Sequence, residues 1–548
     1  MDNDEMTFNT NNLGIDEAFV KITTDSFIHL YKLVDECYKC PFTYVDYVND
    51  TRVLKASTKF GTSFRLYTRK EPFIGDKDVQ DMVCEVRPRN FGPFGVYDIQ
   101  NFGSNCTIAT KKSPTSQFYL PLYVTALVLF IITLIWNIAT SKGFRKEGND
   151  DQSEKRSKRL ASLDAFRGMC IVLMIFVNDG SGGYEIIDHT TWNGLHLADV
   201  LFPWFLWIMG VCIPISIKSQ IKRKVRRWKI LTTIVQRSLI LFILGLMLNS
   251  IGKVAQLETF RLFGVLQRFS VSYFVVSTLV TLLMVDLRSG RYNFCGPLTD
   301  VVNLSIIWVL MVLLVAGQTY LVFFYPVPNC PTGYLGPGGL HQDKMYEHCI
   351  GGFSGYFDKL VLRKEHLFQN PTANQIYHSG PFEPEGPFGC LLTIFQVFLG
   401  VQAGVIILTF SDGFKRIKRW LIWGVVVFIF GVVLCQGRIE GGWIPINKNL
   451  WSLSFVFLTS GLAFLLFSLF YYLIDHLRCW TGSPFIYPGM NSILLYIGHE
   501  VAYDLFPWHW RFGPMNNHLI VMLEAVWGTL LWVLISYVLY KKKIFLKL

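Results

Sequence analysis

Charge is scarce in this chain. Asp, Glu, Lys and Arg make up 17% of its 548 residues, where a soluble domain carries about 25%. Compact catalytic signatures are also missing: there is no P-loop, no Gly-x-Gly-x-x-Gly, no Gly-x-Ser-x-Gly and no His-Glu-x-x-His. The first residues lack the basic stretch and apolar run of a secretory signal. Together these absences exclude an ordinary soluble globular fold and the common nucleotide-binding and hydrolase frameworks. The expectation for the N-terminus is that the first apolar span exports it unaided, or that the natural start lies elsewhere.

Apolar residues fill the space that charge leaves. Runs long enough to cross a ~30 Å hydrocarbon core are expected near 118–139, 165–178, 197–217, 230–249, 264–285, 301–324, 389–410, 420–435, 450–474, 485–505 and 519–540. The formal net charge of +11 could suggest a nucleic-acid partner, but its placement argues against one. Lys and Arg gather in alternate loops (KGFRKEGNDDQSEKRSKR, KSQIKRKVRRWK, KRIKR and the terminal KKKIFLKL), while Asp179 to Leu195 hold none. This is the positive-inside pattern. It places the basic loops and the C-terminus in the cytosol and residues 1–117 on the luminal side. The fold expected is a polytopic α-helical membrane protein of about eleven transmembrane helices, with a small β-rich, disulfide-containing luminal N-terminal domain. Residues 118–139 form the first transmembrane helix, 140–160 a charged cytosolic linker, and 161–548 the main transmembrane domain with a luminal loop at 325–388.

Cysteine placement fits that topology. Cys37, Cys40, Cys84 and Cys106 precede the first span, and Cys330 and Cys349 lie in the long loop. All six face the oxidising side, where cysteines pair. Cys330 and Cys349 are expected to bond to each other; the other four allow three connectivities. A zinc site at Cys37-x-x-Cys40 lacks a second CxxC or a paired His, and no metal is expected. Sequons at Asn49 and Asn105 suit luminal glycosylation.

Polar residues inside the spans are the candidates for function, because a charge at a helix centre costs about 2.5–3.5 kcal/mol to insert. Asp164 and Arg167 are an i,i+3 pair at the cytosolic end of the second span, either a helix-end ion pair or a receiver for an anion. Asn178 and His189 flank the turn DGSGGYEIID at its far end, with Asp188 and Asp199 nearby. Arg261 stands at the luminal mouth of the fifth span, and Gln267 and Arg268 lie inside it. Asn491, His499 and Glu500 belong to the tenth, and Asn447, Lys448 and Asn449 to the preceding luminal loop. Trp192 and Trp451 are expected to be interfacial anchors. From its turn and carboxylate neighbours, His189 is the candidate for chemistry.

The motifs DAFRG, TWNGL-x-x-AD-x-x-FPWF, GVLQR, PVP-x-CPTGYLGPGG, FLGVQAG, PINKNLWS, TGSPFIYPGMNS and GHE resemble the heparan-alpha-glucosaminide N-acetyltransferase family, over roughly Leu160 to Leu548. The N-terminal domain matches more loosely. The resemblance implies a multi-pass lysosomal membrane enzyme that moves an acetyl group from cytosolic acetyl-CoA to the terminal non-reducing glucosamine of luminal heparan sulfate. The family's active-site histidine falls on His189 and its site asparagine on Asn178. Asp164, Arg167, Asp199, Arg261, Gln267, Arg268, Asn449, Asn491 and His499 are the substrate- or CoA-binding candidates. An extended pantetheine arm of on the order of 15–20 Å is shorter than the ~30 Å core, so donor and acceptor must meet partway. His189 would either carry the acetyl group or act as a base on the amine. A solute transporter, a membrane acyltransferase with another acceptor, and assembly as a homodimer remain open at this level.

Overall fold

The computed structural model describes residues 8, 12–70, 81–89, 91–103, 105–146, 160–252, 256–284 and 298–546. The first seven residues and the expected linker's central part, 147–159, lie outside them.

Eight strands make two four-stranded sheets. They are β1 (Glu17–Thr24), β2 (Ile28–Val34), β3 (Thr43–Val48), β4 (Thr51–Ser57), β5 (Thr62–Tyr67), β6 (Met82–Arg89), β7 (Val96–Phe102) and β8 (Asn105–Lys112). The orders are β4-β1-β7-β8 and β3-β2-β5-β6, with β1 and β7 parallel and the other pairs antiparallel. Alternating residues such as Ala18, Val20, Ile22, Ile28, Leu30, Phe64 and Leu66 are buried between the sheets, as the period of two requires. The four N-terminal cysteines pair as Cys37–Cys40 and Cys84–Cys106, the second tying β6 to β8, and Cys330 pairs with Cys349. Asn49 and Asn105 are both exposed.

Helices follow: α1 (Leu120–Lys146), α2 (Ala161–Asn178), α3 (Leu197–Lys222), α4 (Arg227–Asn249), α5 (Val265–Leu283), α6 (Thr299–Val302), α7 (Ser305–Phe324), α8 (Gly352–Leu362), α9 (Thr372–Tyr377), α10 (Cys390–Thr409), α11 (Gly413–Cys435), α12 (Leu453–Tyr471), α13 (Ile486–Met490), α14 (Ser492–Val501) and α15 (His518–Lys541). Among the described residues ten helices are long and apolar enough to cross a membrane. The expected tenth span, 485–505, is instead broken: Asn491 leaves helical geometry between α13 and α14. The second span is longer than its apolar run. Asp475 caps it by accepting from the backbone N–H of Ala161 (3.3 Å) and Ser162 (3.1 Å), so the helix starts before Asp164.

Buried α3 and α10 form the axis of the bundle. They touch backbone to backbone: a Cβ on Gly210 would stand 2.0 Å from the Val397 carbonyl oxygen, and one on Gly400 2.1 Å from that of Trp207. Helices without a hydrophobic driving force between them associate by such close approach. The same device joins α2 to α13, where a Cβ on Gly168 would meet Phe485 O at 1.7 Å and one on Gly489 would meet Asp164 O at 1.8 Å.

The Cys37–Cys40 turn docks the N-terminal domain on the main body. Cys37, Trp192, Leu340, Ala373, Tyr377, Phe382 and Leu450 form one apolar cluster, and the Tyr377 hydroxyl donates to Glu36 O at 3.0 Å. The β-rich domain, the loop of Trp192, the 325–388 loop and the loop before α12 therefore share one side of the bundle.

Candidate active site

The chain leaves α2 at Asn178 and turns back through Gly180, Gly182 and Gly183, whose φ values of 96°, 70° and 77° favour glycine. The turn brings His189 above the start of α3. There Nδ1 of His189 lies 2.8 Å from Oδ1 of Asp199. Asp199 is fully buried, and its Oδ2 accepts from the backbone N–H of Thr190 (3.3 Å) and His196 (3.1 Å). A carboxylate only accepts, so Nδ1 carries the ring proton and Nε2 the lone pair. Lys448 completes the group: its Nζ stands 2.9 Å from Nδ1, 3.3 Å from Nε2 and 3.6 Å from Asp199 Oδ1. The histidine side chain is one-third exposed, so a substrate can reach it.

Asn178 belongs to a neighbouring cluster. Its Nδ2 lies 2.9 Å from His499 Nε2 and donates to Glu500 Oε1 at 3.3 Å. Beside it, His509 bridges Asp179 (3.4 Å) and Glu524 (2.7 Å). Burial pushes the Asp179 carboxyl up, against the pull of the His509 imidazole. No hydrogen bond joins Asn178 to His189. The Gly-rich turn alone connects them.

A cavity of about 400 Å³ lies between α2 and α3, lined by Arg167, Ile171 and Met174 of the first and by Phe205, Met209 and Cys212 of the second. Arg237, Phe269 and Tyr496 line its other walls. The spacing puts Arg167, Ile171, Met174 and Asn178 on one face of α2, and Phe205, Met209 and Cys212 on one face of α3, with Asp199 a third of a turn away at the head of that helix. On α3 the carboxylate that holds His189 is about 9 Å above the cavity residue Phe205 at 1.5 Å per residue. On α2, Arg167 and Asn178 are about 16 Å apart. The Tyr496 ring packs edge-on to His499 at 5.4 Å, which links the cavity to the Asn178 cluster. Arg167 also donates to Cys212 Sγ (2.9 Å) and Gly489 O (3.4 Å), with Asp164 at 3.5 Å.

The remaining candidates make other contacts. Arg261 ion-pairs with Glu383 and Glu385 (2.9 Å from Nε to Glu383 Oε2, 2.8 Å from Nη2 to Glu385 Oε2). Burial works against the Arg261 cation, but the two carboxylates overcome it and hold the guanidinium above its usual range. Arg268 is fully buried, donates to Pro384 O at 2.8 Å and lies 4.6 Å over the Trp451 ring. Gln267 is buried against Gly245. Asn491 ties down the C-terminal tail, donating to Ile544 O and accepting from Leu546 N–H. Asn449 is half-buried next to Lys448. Trp192 and Trp451 are not interfacial anchors: both are buried, the first donating to Leu335 O at 2.9 Å and the second beneath Arg268. Among the described residues no group of three or more His, Cys, Asp or Glu is placed to hold a metal ion.

Sequence reasoning named Lys448 without giving it a binding or catalytic role, and it missed His509. A lone lysine in the stretch before α12, otherwise rich in Asn and Pro, was the available signal for the first. Nothing local marked His509, because its partners lie on α15 and beyond α2.

Comparison with known proteins gives a consistent result. The family profile described as "Heparan-alpha-glucosaminide N-acetyltransferase, catalytic" matches residues 159–326, which include the His189 turn, Asp199 and α2 to α7. The mouse heparan-alpha-glucosaminide N-acetyltransferase is 34% identical over 98% of this chain and 89% of its own length. The human protein of the same name is 34% identical over 98% of this chain and 88% of its own. The chain belongs to the heparan-alpha-glucosaminide N-acetyltransferase family and is an acyltransferase.

Proposed function

We propose that the enzyme takes acetyl-CoA at its cytosolic face and transfers the acetyl group to the amine of a terminal non-reducing glucosamine. The acceptor is the end of a heparan sulfate chain on the luminal side of the lysosomal membrane, where the N-terminal domain lies; the C-terminus is cytosolic. The observation that carries this reading is the cavity between α2 and α3, with the His189 group at the head of α3 about 9 Å beyond Phe205. Arg167 and Arg237 suit the anionic end of CoA, the apolar wall suits its pantetheine arm, and the distance from Arg167 to Asn178 matches that arm's reach. Beyond the cavity, across the Gly-rich turn from Asn178, stand an imidazole oriented by a buried carboxylate and an ammonium able to stabilise an oxyanion.

Two routes use these groups. His189 Nε2 attacks the thioester carbon, expels the CoA thiolate and passes the acetyl group to the amine. Alternatively both substrates bind together, and Nε2 takes the amine proton as nitrogen attacks the thioester carbon, whose C–S bond breaks to release the CoA thiolate, which takes the proton back from the imidazolium. In either route Asp199 holds the ring and stabilises the imidazolium, as in triad chemistry. The test uses detergent-purified protein, radiolabelled acetyl-CoA and a panel of glucosamine and heparan-derived acceptors. Transfer to glucosamine ends that His189→Ala abolishes supports the reading, and undiminished transfer in a folded His189→Ala protein overturns it. Label retained on the protein without acceptor selects the first route.

A further inference from the structure

The luminal loop holds a groove that the transfer reaction does not use. It has a volume of about 740 Å³, within the ~300–1,000 Å³ of built ligand sites and roomier than one sugar ring needs. Its rim carries Lys344, His348, Lys359, Lys364 and His378, all exposed. None of the three lysines is ion-paired with a described residue. Asp343 and Glu365, exposed beside Lys344 and Lys364 in the chain, do not line the groove, and of the three carboxylates that do, two are engaged elsewhere. Glu383 is held by Arg261. Asp358 is buried, accepts from Phe388 N–H at 2.9 Å, and is pushed up to about 7 by that burial. Glu347 alone remains exposed in the groove.

The groove also adjoins the catalytic loops. Phe382, on its inner wall, meets the Trp192 ring edge-on at 5.6 Å. Trp192 is three residues beyond His189, and Leu450 of the same apolar cluster is two beyond Lys448. The groove and the His189 loop are therefore backed by one buried apolar cluster and stand on the same side of the bundle.

We infer that this groove is a secondary binding site for the sulfated, uronate-bearing part of the oligosaccharide chain behind the reacting glucosamine, its anionic groups held by Lys344, Lys359 and Lys364. The site rests on the acceptor class proposed above. It gives the enzyme an affinity for chain ends over free glucosamine that the reaction centre cannot supply. An exposed ion pair changes affinity by about twofold, so three together give about tenfold.

The experiment compares wild type with the triple variant Lys344→Gln, Lys359→Gln, Lys364→Gln in detergent. KM is measured for free glucosamine, for acetyl-CoA, and for a sulfated heparan-derived octasaccharide ending in glucosamine. Binding of a fluorescent octasaccharide, sulfated or desulfated, is measured directly and needs no turnover. The expected result is a KM about tenfold higher for the sulfated octasaccharide alone, a flatter salt dependence of its binding, and little change for the desulfated chain. Equal octasaccharide binding by the two proteins, or a loss on glucosamine as large as on the octasaccharide, overturns the site. Wild type that binds the sulfated chain through these lysines but acetylates neither acceptor refutes the transfer reading and leaves the site standing.

Discussion

Replacing Asp199 by Asn removes one charge and no volume, and the surrounding contacts dictate the outcome. Two backbone donors, Thr190 N–H and His196 N–H, point at Oδ2. The Asn carbonyl oxygen must take that position, because an amide NH2 there would face two donors. The NH2 then occupies the Oδ1 position, 2.8 Å from His189 Nδ1, and can only donate. The ring answers by moving its proton to Nε2, which destroys the lone pair that both routes require. In the Ser-His-Asp template the same reversal lowers kcat by about 10⁴, and a fall of about 10³–10⁴ is expected here. Stability should fall by only about 1–2 kcal/mol, since the two backbone bonds persist and the half-buried Lys448 loses one partner. The assay is acetyl transfer at saturating acetyl-CoA, paired with a thermal-shift measurement on the same preparation. Asp199→Asn activity within tenfold of wild type, in protein that melts near the wild-type temperature, would refute the orientation argument.

Asn178→Ala should lower kcat about 100- to 1,000-fold if its amide donates to the tetrahedral oxyanion, and an unchanged kcat in steady-state assays would remove that role. Arg167→Ala should raise the KM for acetyl-CoA about tenfold and leave the acceptor KM alone, as read by varying each substrate in turn. Gly489→Leu should prevent α13 from seating on α2, since even a Cβ would stand 1.8 Å from Asp164 O; monodisperse protein on size exclusion would contradict this. Asp358 sets a pH dependence. Its folded pKa of about 7 lies above the usual 3.8, so the folded state holds the proton more tightly, and stability present below about pH 4 is lost as pH rises to about 7. His341, lowered to about 4 by burial and by Lys39, contributes oppositely: its share is present above about pH 6.5 and lost toward pH 4. Melting curves of Asp358→Asn and His341→Gln against pH separate the two. The first should gain stability relative to wild type between pH 4 and 7, by up to about 4 kcal/mol.

The apolar runs and the alternation of Lys-rich loops made most of the helices legible before any coordinates, because span length and charge placement are properties of local sequence. The tenth span was the exception. PGMNS reads as continuous with its apolar flanks, and only the tertiary bonds of Asn491 to the C-terminal tail reveal why the helix stops there. Candidate site residues divided along the same line. Asp199 could be marked from sequence because its neighbour in space is its neighbour in sequence. Arg268 could not be assigned, since its partners are two backbone carbonyls and a tryptophan more than a hundred residues away. Arg261 looked available to an anion until the two glutamates of the 325–388 loop were seen around it.

Those distant partners bear on how the protein is made. Arg268 emerges from the ribosome on the fifth crossing helix, well before Pro384 and Trp451 exist, and Asp300 waits in the same way for Arg419 on α11. In the interval each stands without these partners near the end of its helix, at a cost below the about 2.5–3.5 kcal/mol of a charge at mid-helix. The nascent helices must therefore be sheltered, or linger at the translocation channel, until their partners arrive. A substitution at Trp451 or Arg419 should then be cleared by quality control during synthesis, and its signature would be missing protein rather than slow catalysis.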